Sequence, residues 1–149
     1  VQVVNGITAG LAGMTLLGAP LTHRQHAHGV VFITGHHQPG GHPTNWRQLA
    51  ATARDARLTL VIYMGVKSCA YIQAELLTAL PAHTPAAVIQ HASLPQQRHA
   101  VTTLGQLQAT ITTQGLGSPS VIVVGDVVRG VALATQDAAE AAPQARRAT

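Results

Sequence analysis

Aromatic side chains are scarce in this sequence: Phe, Trp and Tyr together make up 3% of its 149 residues. No block of lysine or arginine offsets that scarcity. A nucleic-acid surface built from stacking rings and phosphate-neutralising cations is therefore excluded as the main reading. Charge of either sign is also thin, at 9% of the chain. Cysteine occurs once, as Cys69, so no internal disulfide can form and a reducing cytoplasm is the expected setting. The uncharged stretch over residues 1–22 is broken by Asn5, Thr8, Thr15 and several glycines, which argues against a membrane span. It also lacks the basic flank and cleavage pattern of a signal peptide. No internal repeat is present.

What remains is hydrophobic, at 46% of residues, and long enough for one domain. A domain of this size buries about 70% of the surface its unfolded chain exposes. Nine basic against five acidic residues give a net charge of +4 with neutral histidines. That modest excess suits a small polyanionic substrate better than a polymer.

Strand and helix patterns alternate along the chain. VQVV at the start reads as a short strand, followed at once by Asn5-Gly6, as if the sequence opened inside a domain. Ile7, Leu11, Met14 and Leu17 then form a helical stripe that Pro20 ends. GVVFIT (29–34) and LTLVIYMG (58–65) read as buried strands, AAVIQHA (86–92) as a third, 98–102 as a shorter one, and PSVIVVGDVV (119–128) as the last. Helices are expected over 46–57, 67–80 and 104–114, the first capped by Asn45 or Thr44. This order predicts an α/β layered domain with about five strands flanked by helices. Ligands of such sheets sit at the carboxyl ends of strands. Those ends here are Thr34-Gly35-His36, Tyr63-Met64-Gly65 and His91-Ala92-Ser93. The Ala-rich segment 134–149 has no apolar stripe and is expected to fray.

Single residues invite more than one reading. Arg24, between a Gly-Ala-Pro turn and a strand, is a carboxylate clamp, a surface arginine or one half of a structural ion pair. Met64 is either core packing or a soft wall of a ligand pocket. Thr8 can cap a helix, with Ala9 leaving room for close approach. Cys69 lies on a helical stripe as a small hydrophobe rather than a nucleophile. Six histidines crowd residues 23–42, and HRQHAH read as a strand would put His26 and His28 on one face. No acidic residue lies near them, so a metal site is not expected, and a surface cluster that charges at mildly acidic pH is.

GITAG, GAPLTHR, VVFITGH, LVIYMG, HASLPQQR and SPSVIVVGDVV occur here in that order. Together they resemble the C-terminal half of the uroporphyrinogen-III C-methyltransferases, a tetrapyrrole methylase group that includes the methylase module of siroheme synthase. The resemblance covers about residues 1–130. It implies a fold of two α/β lobes with the active site between them, this chain being the second lobe over residues 1–133. It implies S-adenosylmethionine as methyl donor, S-adenosylhomocysteine as product, and conversion of uroporphyrinogen III to precorrin-2 for siroheme or cobalamin. Thr8, Ala9, Met64, Ala92 and Ser120 fall on the family's cofactor contacts. Arg24 would face the tetrapyrrole as the catalytic-site cation, with His23 and His36 as further substrate contacts. No metal is implied. The partners implied are a tetrapyrrole, the N-terminal lobe that is absent here and a second copy in a homodimer, with neither nucleic acid nor membrane; the lobe alone is expected to be inactive. Asn5, Leu16-Leu17, the HAS triplet at 91–93 and Arg129-Gly130 depart from the commoner family residues. The competing reading is a non-catalytic α/β lobe that serves self-association or binding.

Overall fold

The computed structural model describes residues 2–36 and 41–131. Val1, His37 and the segment 134–149 lie outside the described residues. The elements run α1 (Ala9–Leu16), β1 (Gly29–Thr34), α2 (Trp46–Asp55), β2 (Leu58–Tyr63), α3 (Cys69–Leu76), β3 (Pro85–Gln90), β4 (Arg98–Thr103), α4 (Leu107–Thr113) and β5 (Ser120–Val124). Short 3-10 turns precede α4 and follow β5.

The strands form one mixed sheet in the order β1-β2-β5-β3-β4. β1 and β2 are parallel, while β5 is antiparallel to both β2 and β3. Two reversals make β3 parallel to β1 and β2. The carboxyl ends of β1, β2 and β3 therefore reach the same edge of the sheet as the amino end of β5.

Helices cover both faces. On one, α2, α3 and α4 pack over Leu60, Ile62, Val88 and Ile122. On the other, Met14 and Leu17 of α1 join Val61, Ile89 and Val123. A strand buried on both sides reads as a near-continuous apolar run, which is why LTLVIY, with Thr59 as its one buried polar residue, lacks alternation. Asn45 caps α2, its side-chain oxygen accepting the Gln48 N–H at 3.0 Å. Such a cap is worth about 1 kcal/mol. Arg47 of α2 grips Glu75 of α3 with two bonds of 2.9 and 3.2 Å.

Gly10 lets α1 lie directly on the sheet: a Cβ there would stand 2.4 Å from Val61 Cγ1 and 2.8 Å from the Tyr63 hydroxyl oxygen. Gly35 does the same at the tip of β1, where a Cβ would meet the Gly65 Cα at 2.6 Å.

One expected strand is not formed, and neither is the strand arrangement under which His26 and His28 would share a face. Residues 2–8 form no strand, and Val3 and Val4 are each 83% exposed. A strand needs a neighbour's backbone to pair with, and none lies alongside. HRQHAH instead closes on itself: the His23 N–H donates to the Ala27 carbonyl at 2.8 Å and the Ala27 N–H donates back to His23 at 2.9 Å. His23 and His26 consequently stack with centroids 4.8 Å apart, and His26 and His28 share no strand face. The remaining strands and helices appear where the periodicity predicts them, with ends shortened by a few residues.

Candidate functional site

The shared edge of β1, β2, β3 and β5 opens into a cavity of about 570 Å³. Its floor is apolar, formed by Ile89, Val121 and Ala92, and its rim carries Met64, Leu94 and Ser120. That volume lies within the range of small-molecule sites, roughly 300–1,000 Å³.

The backbone at this edge is unusual. Met64 (φ 53°), His91 (φ 52°) and Ser93 (φ 68°) all occupy the left-handed region. Each costs about 1 kcal/mol relative to an ordinary conformation for a residue with a side chain. Only Arg57 shares this property among the other described non-glycine residues. Strain of this kind clusters where a chain is held for a ligand. The local bonds that hold it are visible. The His91 N–H donates to the Pro119 carbonyl at 3.1 Å, tying β3 to the start of β5. The Ser93 N–H donates to Gln97 Oε1 at 2.7 Å.

Tyr63 links β2 to α1. Its hydroxyl oxygen accepts the Gly10 N–H at 3.2 Å and shares a short hydrogen bond with the Thr8 hydroxyl. The Phe32 ring stacks on Tyr63, with centroids 6.3 Å apart. Ala9 thereby comes to the cavity wall.

Lys67, His36 and His91 line the cavity, and among the described residues no aspartate or glutamate does. The charge around it is thus of one sign, which favours an anionic or electron-rich ligand. Cys69, one helical turn beyond, is fully buried, and burial pushes its thiol up to about 11. A buried, neutral thiol is a poor nucleophile at neutral pH.

Of the residues singled out from sequence, Ala9, His36, Met64, Ala92 and Ser120 converge on this cavity. Thr8 stands beside it through Tyr63. The Ser120 hydroxyl is engaged in a short bond to the Gly117 carbonyl. Arg24 and His23 are elsewhere. They sit on the closed turn before β1, whose amino end lies about 20 Å from its tip at six residues of strand. The grouping of Arg24 and His23 with Met64 is therefore not reproduced within this lobe. Of the other lining residues, Tyr63 and His91 were named from the sequence only as strand ends, and Lys67 was not singled out. The lysine two positions after the strand-end glycine and the histidine at the tip of β3 were the available signals.

Among the described residues no three His, Cys, Asp or Glu side chains come together as a metal site. Among them, too, no helix is long and apolar enough to cross a membrane.

Residues 1–108 match the family model of the tetrapyrrole (corrin/porphyrin) methylases. The chain belongs to that family. It is 43% identical over 131 residues to the uroporphyrinogen-III C-methyltransferase of Pseudomonas aeruginosa, covering 87% of this chain and 51% of that protein. It is 42% identical over 129 residues to the siroheme synthase of Azotobacter vinelandii, with 86% and 27% coverage. Among solved structures it resembles the uroporphyrin-III C-methyl transferase of Thermus thermophilus complexed with S-adenyl homocysteine. That likeness has a TM-score of 0.67 and 32% identity, over 86% of this chain and 51% of that one. The chain thus spans about half the length of the methyltransferase relatives it matches. A tetrapyrrole methylase fold accounts for the mixed sheet and its layered helices.

Proposed function

We propose that this chain is the C-terminal lobe, residues 1–133, of an S-adenosylmethionine-dependent uroporphyrinogen-III C-methyltransferase. The observation that carries the reading is convergence. Ala9, Met64, Ala92 and Ser120 come from four separate motifs and meet at one cavity. The cavity's chemistry fits the cofactor: Ile89 and Val121 offer flat apolar surface for a base, and Ala9 and Ala92 leave room for it.

When bound, S-adenosylmethionine supplies a methyl activated on a sulfonium, and two transfers to pyrrole carbons of uroporphyrinogen III give precorrin-2. The chain's own contribution is positioning and exclusion of water. Tyr63 fixes the start of α1, so that Ala9 closes one wall. Met64, held at φ 53°, turns its side chain out of the sheet toward the cavity. Lys67 and His36 line the cavity and would be available to carboxylates of a tetrapyrrole. An N-terminal lobe would complete the cleft, and the resemblance adds a homodimer. Ile7, Leu11 and Phe32, exposed around α1, support a surface that another body covers. The same patch is what favours the second reading, a lobe used only for association.

Calorimetric titration of S-adenosylhomocysteine tests the proposal. The chain alone should bind weakly. Adding the half of the Pseudomonas aeruginosa relative that this chain does not match should tighten binding by about tenfold or more. No gain on mixing, or a gain that survives Met64→Asp, would overturn it.

A further inference from the structure

The turn carrying Arg24 belongs to a different feature. At the opposite edge of the sheet from the cofactor cavity, a cleft of about 460 Å³ opens between the turn before β1, the end of α2 and the end of β5. Three guanidinium groups line it, those of Arg54, Arg57 and Arg129, together with His26 and His83. Among the described residues Asp126 is the one acidic residue that lines it.

The arginines are anchored without being used up. Arg54 spends Nε on Asp55 at 2.8 Å, and Arg129 spends Nε on Asp126 at 3.3 Å. Arg57 spends one terminal nitrogen on the Gln25 carbonyl at 3.1 Å. A guanidinium has three nitrogens, so each keeps two free to donate. Arg57 also sits at φ 52°, just past the end of α2, where glycine is the usual residue. Its side chain and its carbonyl, which accepts the His28 N–H at 2.8 Å, together hold the 23–28 turn in place. That turn brings His26 into the cleft, and its Arg24 makes no hydrogen bond or ion pair to other described residues. Behind the wall at Gly125, the Thr59 hydroxyl is buried without a partner. A Cβ at Gly125 would stand 3.3 Å from it.

We propose that this cleft is a second ligand site, separate from the methyl-transfer cavity, and that it takes a small polyanion carrying several phosphate or carboxylate groups. Preorganised forks with two free donors each are the chemistry that recognises such groups. Asp126 is paired with Arg129 and Asp55 with Arg54, so Arg57 is the lining guanidinium that no carboxylate among the described residues offsets, and the group keeps a net positive charge.

The test is an NMR titration of the isotope-labelled chain with inorganic tripolyphosphate and, separately, with citrate, at low and moderate salt. Saturable amide shifts should gather at Gln25, His26, Arg57 and Gly125, and affinity should fall as salt rises. The double variant Arg54→Gln/Arg129→Gln alters two exposed side chains and should keep its melting temperature while losing about tenfold in affinity. Arg24→Ala should lose less. Preference for tripolyphosphate would mark a phosphate site and equal binding a general polyanion site, and both support the proposal. Shifts centred on Lys67 and His36, or affinity unchanged in the double variant, would overturn it without touching the assignment of the methyl-transfer cavity.

Discussion

The Tyr63 hydroxyl accepts the Gly10 N–H at 3.2 Å and bonds the Thr8 hydroxyl, fastening the tip of β2 to the first turn of α1. Without that oxygen, the Gly10 N–H at the helix start loses its partner, and Ala9 loses the clamp that holds it at the cavity. Tyr63→Phe should lower stability by about 1 kcal/mol. It should also weaken S-adenosylhomocysteine binding in the two-lobe mixture. Thermal denaturation and calorimetry on the same samples measure both. Unchanged binding with lowered stability would make Tyr63 a fold residue only.

Gly10 and Gly6 form a matched pair for testing how closely α1 must approach the sheet. A Cβ at Gly10 would fall 2.4 Å from Val61 Cγ1, whereas one at Gly6 would meet nothing within 4 Å. Gly10→Ala should cost about 1–3 kcal/mol, because a packed core resists an added methyl. It should also displace Ala9 and reduce cofactor binding. Gly6→Ala should leave the melting temperature within experimental scatter.

Much of this arrangement was legible in the sequence, and the exceptions have physical causes. The long apolar runs of β1, β2 and β5 and the stripe of α1 are strong periodic signals. VQVV carries the same local signal as β1, yet pairing depends on whether another strand's backbone lies alongside, which no local pattern records. HRQHAH alternates like a strand, but reciprocal bonds between His23 and Ala27 close it first. Ala92 and Ser120 were reached only through family likeness. Their meeting depends on β3 running parallel to β2 and β5 antiparallel to both, a fact of topology. The left-handed backbone at Met64, His91 and Ser93 was invisible because none is glycine or asparagine.

Cys69 supplies a pH prediction. Its thiol is raised from 9.0 to about 11 by burial, which disfavours the charged form. The unfolded chain therefore releases this proton first. The contribution is fully present below pH 9.0 and is lost as pH rises toward about 11. Cys69→Ala should flatten that limb of the stability–pH curve. At pH 8, a thiol reagent should label the native chain far more slowly than the denaturant-unfolded chain.

Met64 and Arg24 separate the two edges of the sheet. Met64 is 62% exposed on the cavity rim, so its truncation removes little core packing. Met64→Ala should change stability by no more than about 0.5 kcal/mol. It should still weaken S-adenosylhomocysteine binding several-fold, since an open methionine is there to cover a ligand rather than to fill the lobe. Arg24→Ala should leave both quantities unaltered, because the turn at the other end of β1 has no contact with the cavity. If the arginine variant instead lost cofactor affinity as strongly as the methionine variant, the two edges would be coupled through β1. The two proposed sites would then have to be treated as one linked site.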